Sequence, residues 1–310
     1  MVFPLLKAGD KLGILCPSSA MTPGNLTRVP AMEAYLKSLG LDFVYGKTTT
    51  LQAGYLAGTD EERIKDIHEL FLDPQIKAIL CLKGGYGLTR IIDRLDYTLI
   101  ACHPKLVIGF SDVTALLYAL YQKVGLPSLH GQVGIFLGSP KQDEFSKKNF
   151  QEMTMNYVKG KVLQSPTLGE PFNDLKGEGV LIGGNLSLIT ALLGTPFEMD
   201  FKEKIVFIEE VNEEGYRIDR MLSSLRLAGK LKEANGFVLG HFTDCGTDKT
   251  KIDHLIEEYF PKDIPVITHF ASGHEFPFLN LPIGLKVGMD AKKQTITILE
   301  ELYEKSESFC

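Results

Sequence analysis

The feature that most restricts the fold is a change of hydrophobic period inside residues 104–123. Residues 106–110 are a short apolar run of buried-strand length, whereas Val113, Leu116, Leu117 and Leu120 recur at helical spacing. A chain that switches from strand to helix within two residues makes a sharp turn, and Ser111 stands on it. The unpaired N–H groups and the positive dipole end of the new helix lie beside such a serine, the arrangement of a nucleophile elbow. Only the first glycine of G-x-S-x-G is present, and Ser111 or Asp112 could equally serve as the N-cap of the helix.

The same alternation runs through the first half. Residues 12–16 read as a strand followed by the loop Pro17-Ser18-Ser19, residues 30–39 as a helix stopped at Gly40, and residues 41–45 as a second strand. Thr59-Asp60-Glu61-Glu62 matches a capping box opening a helix that reaches Leu72 before Pro74. Residues 76–82 are continuously apolar, which suits a parallel sheet covered on both faces. Residues 127–130 follow the Ser111 helix as a further strand. This predicts an α/β fold with a doubly wound (flavodoxin-like) parallel sheet in the N-terminal half, whose loops carrying Ser18, Gly85 and Ser111 share one crevice.

Lys83-Gly84-Gly85-Tyr86-Gly87, between the strand at 76–82 and a helix expected at 88–95, could present backbone N–H groups to a phosphate or an oxyanion, or could simply need positive φ. It is neither G-x-G-x-x-G nor a P-loop. Residues 141–158 read as a polar helix and 159–176 as a linker, dividing the chain into domains 1–158 and 177–310. The second domain opens with residues 179–185 and is expected to hold strands near 204–208, 237–242, 265–270, 285–287 and 295–299, with helices leading to Gly194 and opening at Tyr216.

Composition narrows the function. Over 310 residues the net charge is −6, with 44% hydrophobic and 23% charged residues. No run of like charges suggests a nucleic-acid surface, and no stretch approaches membrane-spanning length. The amino terminus lacks the basic start and apolar core of a signal peptide, so a cytoplasmic protein acting on small molecules or peptides is expected. Five dispersed cysteines (Cys16, Cys81, Cys102, Cys245, Cys310) form no C-x-x-C pair and suggest neither a disulfide framework nor a zinc site; buried or incidental thiols are expected.

A nucleophilic serine needs a base, and seven histidines are available. His68 and His254 lie among charged helix neighbours, His103 in a loop, and His130, His241 and His269 at strand ends, where structural roles are expected. His274 stands instead in a long loop rich in glycine and proline, the kind of segment that carries catalytic side chains. It is not a zinc motif, because Phe278 replaces the second histidine of H-E-x-x-H. Glu209 and Glu210 end an apolar strand; either could orient an imidazole, or both could have reached solvent.

Taken in order, Lys83-Gly84-Gly85-Tyr86-Gly87, Ile108-Gly109-Phe110-Ser111-Asp112, Gly183-Gly184-Asn185-Leu186, Phe207-Ile208-Glu209-Glu210 with Tyr216-Arg217-Ile218-Asp219-Arg220, and Gly273-His274 with Asn280-Leu281-Pro282-Ile283-Gly284 resemble the LD-carboxypeptidase family of serine peptidases. That family includes murein tetrapeptide carboxypeptidases and microcin C immunity proteins. The resemblance implies a Ser-Glu-His triad of Ser111, Glu209 and His274, an oxyanion hole from the backbone N–H groups of Gly85 and Asp112, a smaller mixed α/β C-terminal domain, and a homodimer. It implies release of terminal D-alanine from murein tetrapeptide during cell-wall recycling, with no metal or organic cofactor. Lys83 stands where many relatives have arginine, which puts a substrate role for that side chain in doubt. The alternatives are an immunity-type hydrolase of aminoacyl nucleotides, although the chain has no tryptophan to grip a base, and a non-catalytic binding module.

Overall fold

The structure is a computed structural model and describes residues 5–246 and 249–302. Strands β1 (Lys11–Leu15), β2 (Asp42–Tyr45), β3 (Ile76–Cys81), β4 (Leu106–Gly109) and β5 (Ser128–His130) come from the first half. The second half supplies β6 (Val162–Gln164), β7 (Lys176–Asn185), β8 (Lys204–Val211), β9 (Gly236–Thr243), β10 (Val266–Ile267), β11 (Leu281–Ile283), β12 (Lys286–Asp290) and β13 (Thr295–Ile298). They form two sheets, ordered β11-β5-β4-β3-β1-β2 and β10-β9-β8-β7-β12-β13-β6. The chain correspondingly divides into two compact units, one of Met1–Tyr157, Asn280–Pro282 and Glu301–Cys310, the other of Val158–Leu279 and Ile283–Glu300.

In the first unit β2, β1, β3, β4 and β5 pair in parallel, the strand order expected of a flavodoxin-like doubly wound sheet. Residues on both faces of these strands are buried: Leu12, Ile14, Ala78, Leu80 and Ile108 are all fully enclosed, which is why the strands read as apolar runs rather than alternating ones. The capping box forms as anticipated. Thr59 accepts from the Glu62 N–H, Glu62 reaches back to the Thr59 N–H, and the helix runs Asp60–Leu72.

Three local expectations need correction. The helix expected at 88–95 is two 3₁₀ turns, Leu88–Arg90 and Ile92–Arg94; an α-helix follows only at Tyr97–Cys102, where Asp96 caps the Leu99 N–H. The stretch 159–176 is not free of structure, because β6 pairs antiparallel with β13. The helix expected around His254 runs Lys249–Tyr259. Finally, Asn280–Pro282, read as part of a loop, belongs to the first unit, and β11 neighbours β5. Asn280 explains that return. Its side-chain oxygen accepts from the Gln132 N–H at 3.0 Å, and its side-chain NH2 and backbone N–H both donate to Asn149 Oδ1 at 2.8 Å.

In the second unit β7, β8, β9 and β10 pair in parallel, while β12, β13 and β6 continue from β7 in antiparallel fashion, making a mixed sheet. Gly183, with φ +113°, lies so close to β8 that a Cβ there would stand 2.0 Å from the Phe207 carbonyl oxygen. No other residue permits that approach. Cys16, Cys81 and Cys245 are buried free thiols. Cys310 lies outside the described residues. No helix among the described residues is long and apolar enough to cross a membrane.

Candidate active site

In the first unit, β4 ends at Gly109 and a single 3₁₀ turn, Ser111–Val113, leads into the helix Thr114–Val124. Ser111 has φ +65°, the left-handed region that a residue with a Cβ enters at a cost of about 1–2 kcal/mol. Neither the 3₁₀ turn nor the helix has a side-chain cap, so the capping explanation of Ser111 and Asp112 does not hold. A strained serine at a strand-to-helix turn is the geometry of a nucleophile elbow. Gly84 backs it: a Cβ on Gly84 would meet Ser111 Cβ at 3.0 Å and the Phe110 carbonyl at 3.2 Å.

The Asp112 side chain is buried and turned inward. It accepts from Ser18 Oγ at 2.6 Å and from the Leu88 N–H at 3.0 Å, and burial, against these bonds, raises its pKa above the ordinary aspartate value. Gly85 has φ +115° and lies against Ser19, whose Oγ also accepts the Tyr86 N–H at 3.0 Å. Behind both loops stands Arg63, a wholly buried guanidinium. It donates to the Pro17 carbonyl at 2.8 Å and the Gly87 carbonyl at 2.9 Å, and pairs with Asp60. The loops carrying Ser18, Gly85 and Ser111 therefore do gather at the carboxyl ends of β1, β3 and β4. The Ser18–Asp112 bond and the Arg63 clasp were not legible in the sequence, since each joins residues far apart in the chain. Lys83 donates to the Ala20 carbonyl at 3.0 Å. The turn opens onto short 3₁₀ segments rather than an α-helix, which removes the dipole on which a phosphate site would have relied.

In the second unit Glu209 and Glu210 are successive residues of β8, and both are buried rather than having reached solvent. Glu210 is satisfied where it stands, accepting from Asn185 Nδ2 at 2.8 Å, Ser187 N–H at 2.8 Å, Ser187 Oγ at 2.7 Å and the Val211 N–H at 2.9 Å. Burial raises its pKa despite these donors. It thus ties β8 to the start of the helix Leu186–Ala191, whose N-cap is Asn185. Glu209 instead faces the imidazole of His274, with Oε2 2.6 Å from Nδ1.

A carboxylate can only accept, so Nδ1 carries the proton and Nε2 is left as the basic nitrogen. Burial opposes charging the His274 ring. The attraction of Glu209, its hydrogen bond and the more distant Glu210 outweigh burial, and the His274 pKa stands above the ordinary histidine value. Gly273, at φ +134°, makes room for the pair: a Cβ there would lie 3.2 Å from Glu209 Oε2 and 3.1 Å from His241 Cβ. The other histidines are held otherwise. His68 accepts the Asp96 N–H at 3.0 Å, His130 packs edge-on against Phe110, and His269 lies 3.4 Å from Asp253.

Ser111, Gly85 and Asp112 thus belong to the first unit, and Glu209 and His274 to the second. Among the described residues no group of three or more His, Cys, Asp or Glu side chains could hold a metal ion.

Comparison with known proteins agrees across both units. Residues 12–131 match the LD-carboxypeptidase N-terminal domain and residues 178–289 the LD-carboxypeptidase C-terminal domain. The chain is 38% identical over 306 residues to the probable murein peptide carboxypeptidase of Bacillus subtilis, covering 94% of this chain and 92% of that protein. Among solved structures, MccF in complex with glutamyl sulfamoyl guanosine superposes with a TM-score of 0.88 at 28% identity, over 98% of this chain and 99% of the other. The muramoyltetrapeptide carboxypeptidase from Oxalobacter formigenes gives 0.81 at 28% identity, over 94% and 99%. With both halves matched in order and a relative this similar along nearly its whole length, the chain belongs to the LD-carboxypeptidase family of serine peptidases.

Proposed function

We propose that this protein is a serine LD-carboxypeptidase that releases the terminal D-alanine of murein tetrapeptide, with Ser111 as nucleophile, His274 as general base and Glu209 as the orienting carboxylate. The observation that carries the reading is the 2.6 Å contact of a fully buried Glu209 with His274 Nδ1, which leaves Nε2 to act as the base. In this mechanism His274 Nε2 takes the Ser111 hydroxyl proton as Oγ attacks the scissile carbonyl. The N–H groups of Gly85 and Asp112 hold the oxyanion, and the imidazolium then protonates the departing D-alanine nitrogen. Water, deprotonated by the same nitrogen, hydrolyses the acyl-enzyme. The substrate assignment rests on the names of the murein-peptide relatives. The family resemblance extends the proposal to a homodimer resident in the cytoplasm, for light scattering and cell fractionation to test.

A second reading is favoured by the likeness to MccF, whose complex contains glutamyl sulfamoyl guanosine: hydrolysis of an aminoacyl nucleotide by the same residues. The deciding experiment incubates the protein with L-Ala-γ-D-Glu-diaminopimelate-D-Ala and with an aminoacyl sulfamoyl adenosine, reading products by mass spectrometry. Free D-alanine, lost on amidating the terminal carboxylate and insensitive to EDTA, is the expected result. Hydrolysis of the nucleotide analogue alone would move the protein to the immunity-type activity. Turnover of neither substrate would favour a non-catalytic binding module.

A further inference from the structure

Beside the acid–base pair, in the same unit, lies a cavity of about 330 Å³. Its walls include His241, His269, Asp253, Glu275, Leu168 and Ile256. Two features connect it to the chemistry. Glu275 follows His274 directly in the chain, and Gly273 is wedged between His241 and Glu209. The volume is at the lower end of the range for small-molecule pockets, suited to one long side chain.

The lining is chemically one-sided. Asp253 and Glu275, each about half exposed, contribute two carboxylates, while no lysine or arginine appears among the described lining residues. His269 stands 3.4 Å from Asp253 and is held at φ +54°. His241 Nε2 lies 4.0 Å from Glu275, and the His241 side chain is nine-tenths buried, with Nδ1 lacking any hydrogen-bond partner. Burial keeps this imidazole below the ordinary histidine pKa, against the pull of Glu275 and Glu209, so near neutral pH it adds little positive charge. Leu168 and Ile256 supply an apolar wall. Two carboxylates and an aliphatic wall in one cavity are the features of a site for a cationic head on a methylene stem.

We infer that this cavity is the subsite for the ω-ammonium side chain of the diamino acid immediately before the scissile bond, with Asp253 and Glu275 as its counter-charges. The inference rests on the carboxypeptidase reading, because only there does a diamino acid precede the bond that is cut. In this role the cavity is a specificity device. A peptide with an uncharged side chain of equal length leaves two carboxylates facing an apolar chain, and one whose side chain ends in a carboxylate with no ammonium beside it is repelled.

The test compares L-Ala-γ-D-Glu-L-Lys-D-Ala with the same peptide carrying L-norleucine in place of lysine. Binding is measured by calorimetry on the full-length Ser111→Ala protein, so that turnover does not intrude. The lysine peptide is expected to bind about tenfold more tightly at low salt, the size suited to two partly screened charge contacts. The preference should shrink as salt rises and collapse towards unity when Asp253→Asn and Glu275→Gln are added. Both positions are half exposed and both changes nearly isosteric, so the fold should persist; the peptide comparison itself needs no change in the cavity. Equal binding of the two peptides, a preference that survives the double substitution, or no binding of either overturns the inference. Turnover by the unsubstituted protein is read separately. Cleavage of both peptides at equal efficiency keeps the carboxypeptidase and removes the subsite. A lysine preference in binding with cleavage of neither removes the carboxypeptidase and, with it, the assignment of the cavity to the residue before a scissile bond.

Discussion

Replacing Glu209 by glutamine tests the proposed catalytic pair most directly. The substitution preserves shape and removes one charge in contact with His274, at a position where water cannot take its place because Glu209 is fully buried. The attraction between carboxylate and imidazolium at about 4 Å between charge centres is roughly 4 kcal/mol at an effective dielectric constant of about 20, close to three decades in rate. A fall in kcat of about 10²- to 10⁴-fold is therefore expected for Glu209→Gln. The pH profile adds a signature that mere loss of packing would not give. His274 must be neutral to act as a base, so kcat/KM falls on the acid side as the ring protonates. With its pKa raised, the unsubstituted enzyme should lose activity below a pH that lies above the ordinary histidine value. Without Glu209, burial dominates and this limb should move to lower pH. Stability runs the other way. A histidine whose pKa is higher in the folded state contributes stability that is fully present below its unfolded value and lost as pH rises through the folded one, so acid favours the fold while it silences the site. Steady-state kinetics from pH 5 to 9 on both proteins is the assay. An unmoved acid limb, or a loss below about tenfold, would refute the role of Glu209.

Glu210→Gln should act chiefly on the fold. It places an NH2 group against donors that now face carboxylate oxygens, costing about 1–3 kcal/mol in urea denaturation with a far smaller kinetic effect than Glu209→Gln. Ser111→Ala and Ser111→Gly should both abolish turnover, yet the glycine variant should be at least as stable as the alanine variant in thermal melts, because φ +65° strains alanine and not glycine. Arg63→Met should cost about 2–5 kcal/mol, since it strips the donor from two buried carbonyls while Asp60 keeps Arg90, and any residual fold should show a raised KM as the Gly87 loop loosens. Cys16 and Cys245, whose thiols burial pushes up to about 12, should resist iodoacetamide in the native protein at pH 8 and react once it is unfolded.

Local physics made much of the first unit legible. Strand order follows from alternating apolar runs and helices, the capping box at Thr59 is a four-residue event, and the change of period at Ser111 marks the elbow without reference to any distant residue. The 3₁₀ turns after Gly87 were misread because a helix-like apolar spacing over 88–95 does not reveal how tightly the backbone is drawn in, and Asn280–Pro282 was read as loop because its partners lie 131 and 148 residues earlier. Residue-by-residue reading singled out Ser111 and His274 as able to do chemistry and left Glu209 and Glu210 as adjacent acids, between which only the family resemblance chose Glu209. Tertiary structure separated them. Neighbouring residues of a strand point to opposite faces, so Glu209 meets the imidazole from the 268–280 loop while Glu210 meets the start of the next helix. The same dependence on assembly hid the Arg63 clasp, the inward turn of Asp112 and the acidic cavity, since a buried charge has no periodicity of its own and is identified only by the groups that the fold brings against it.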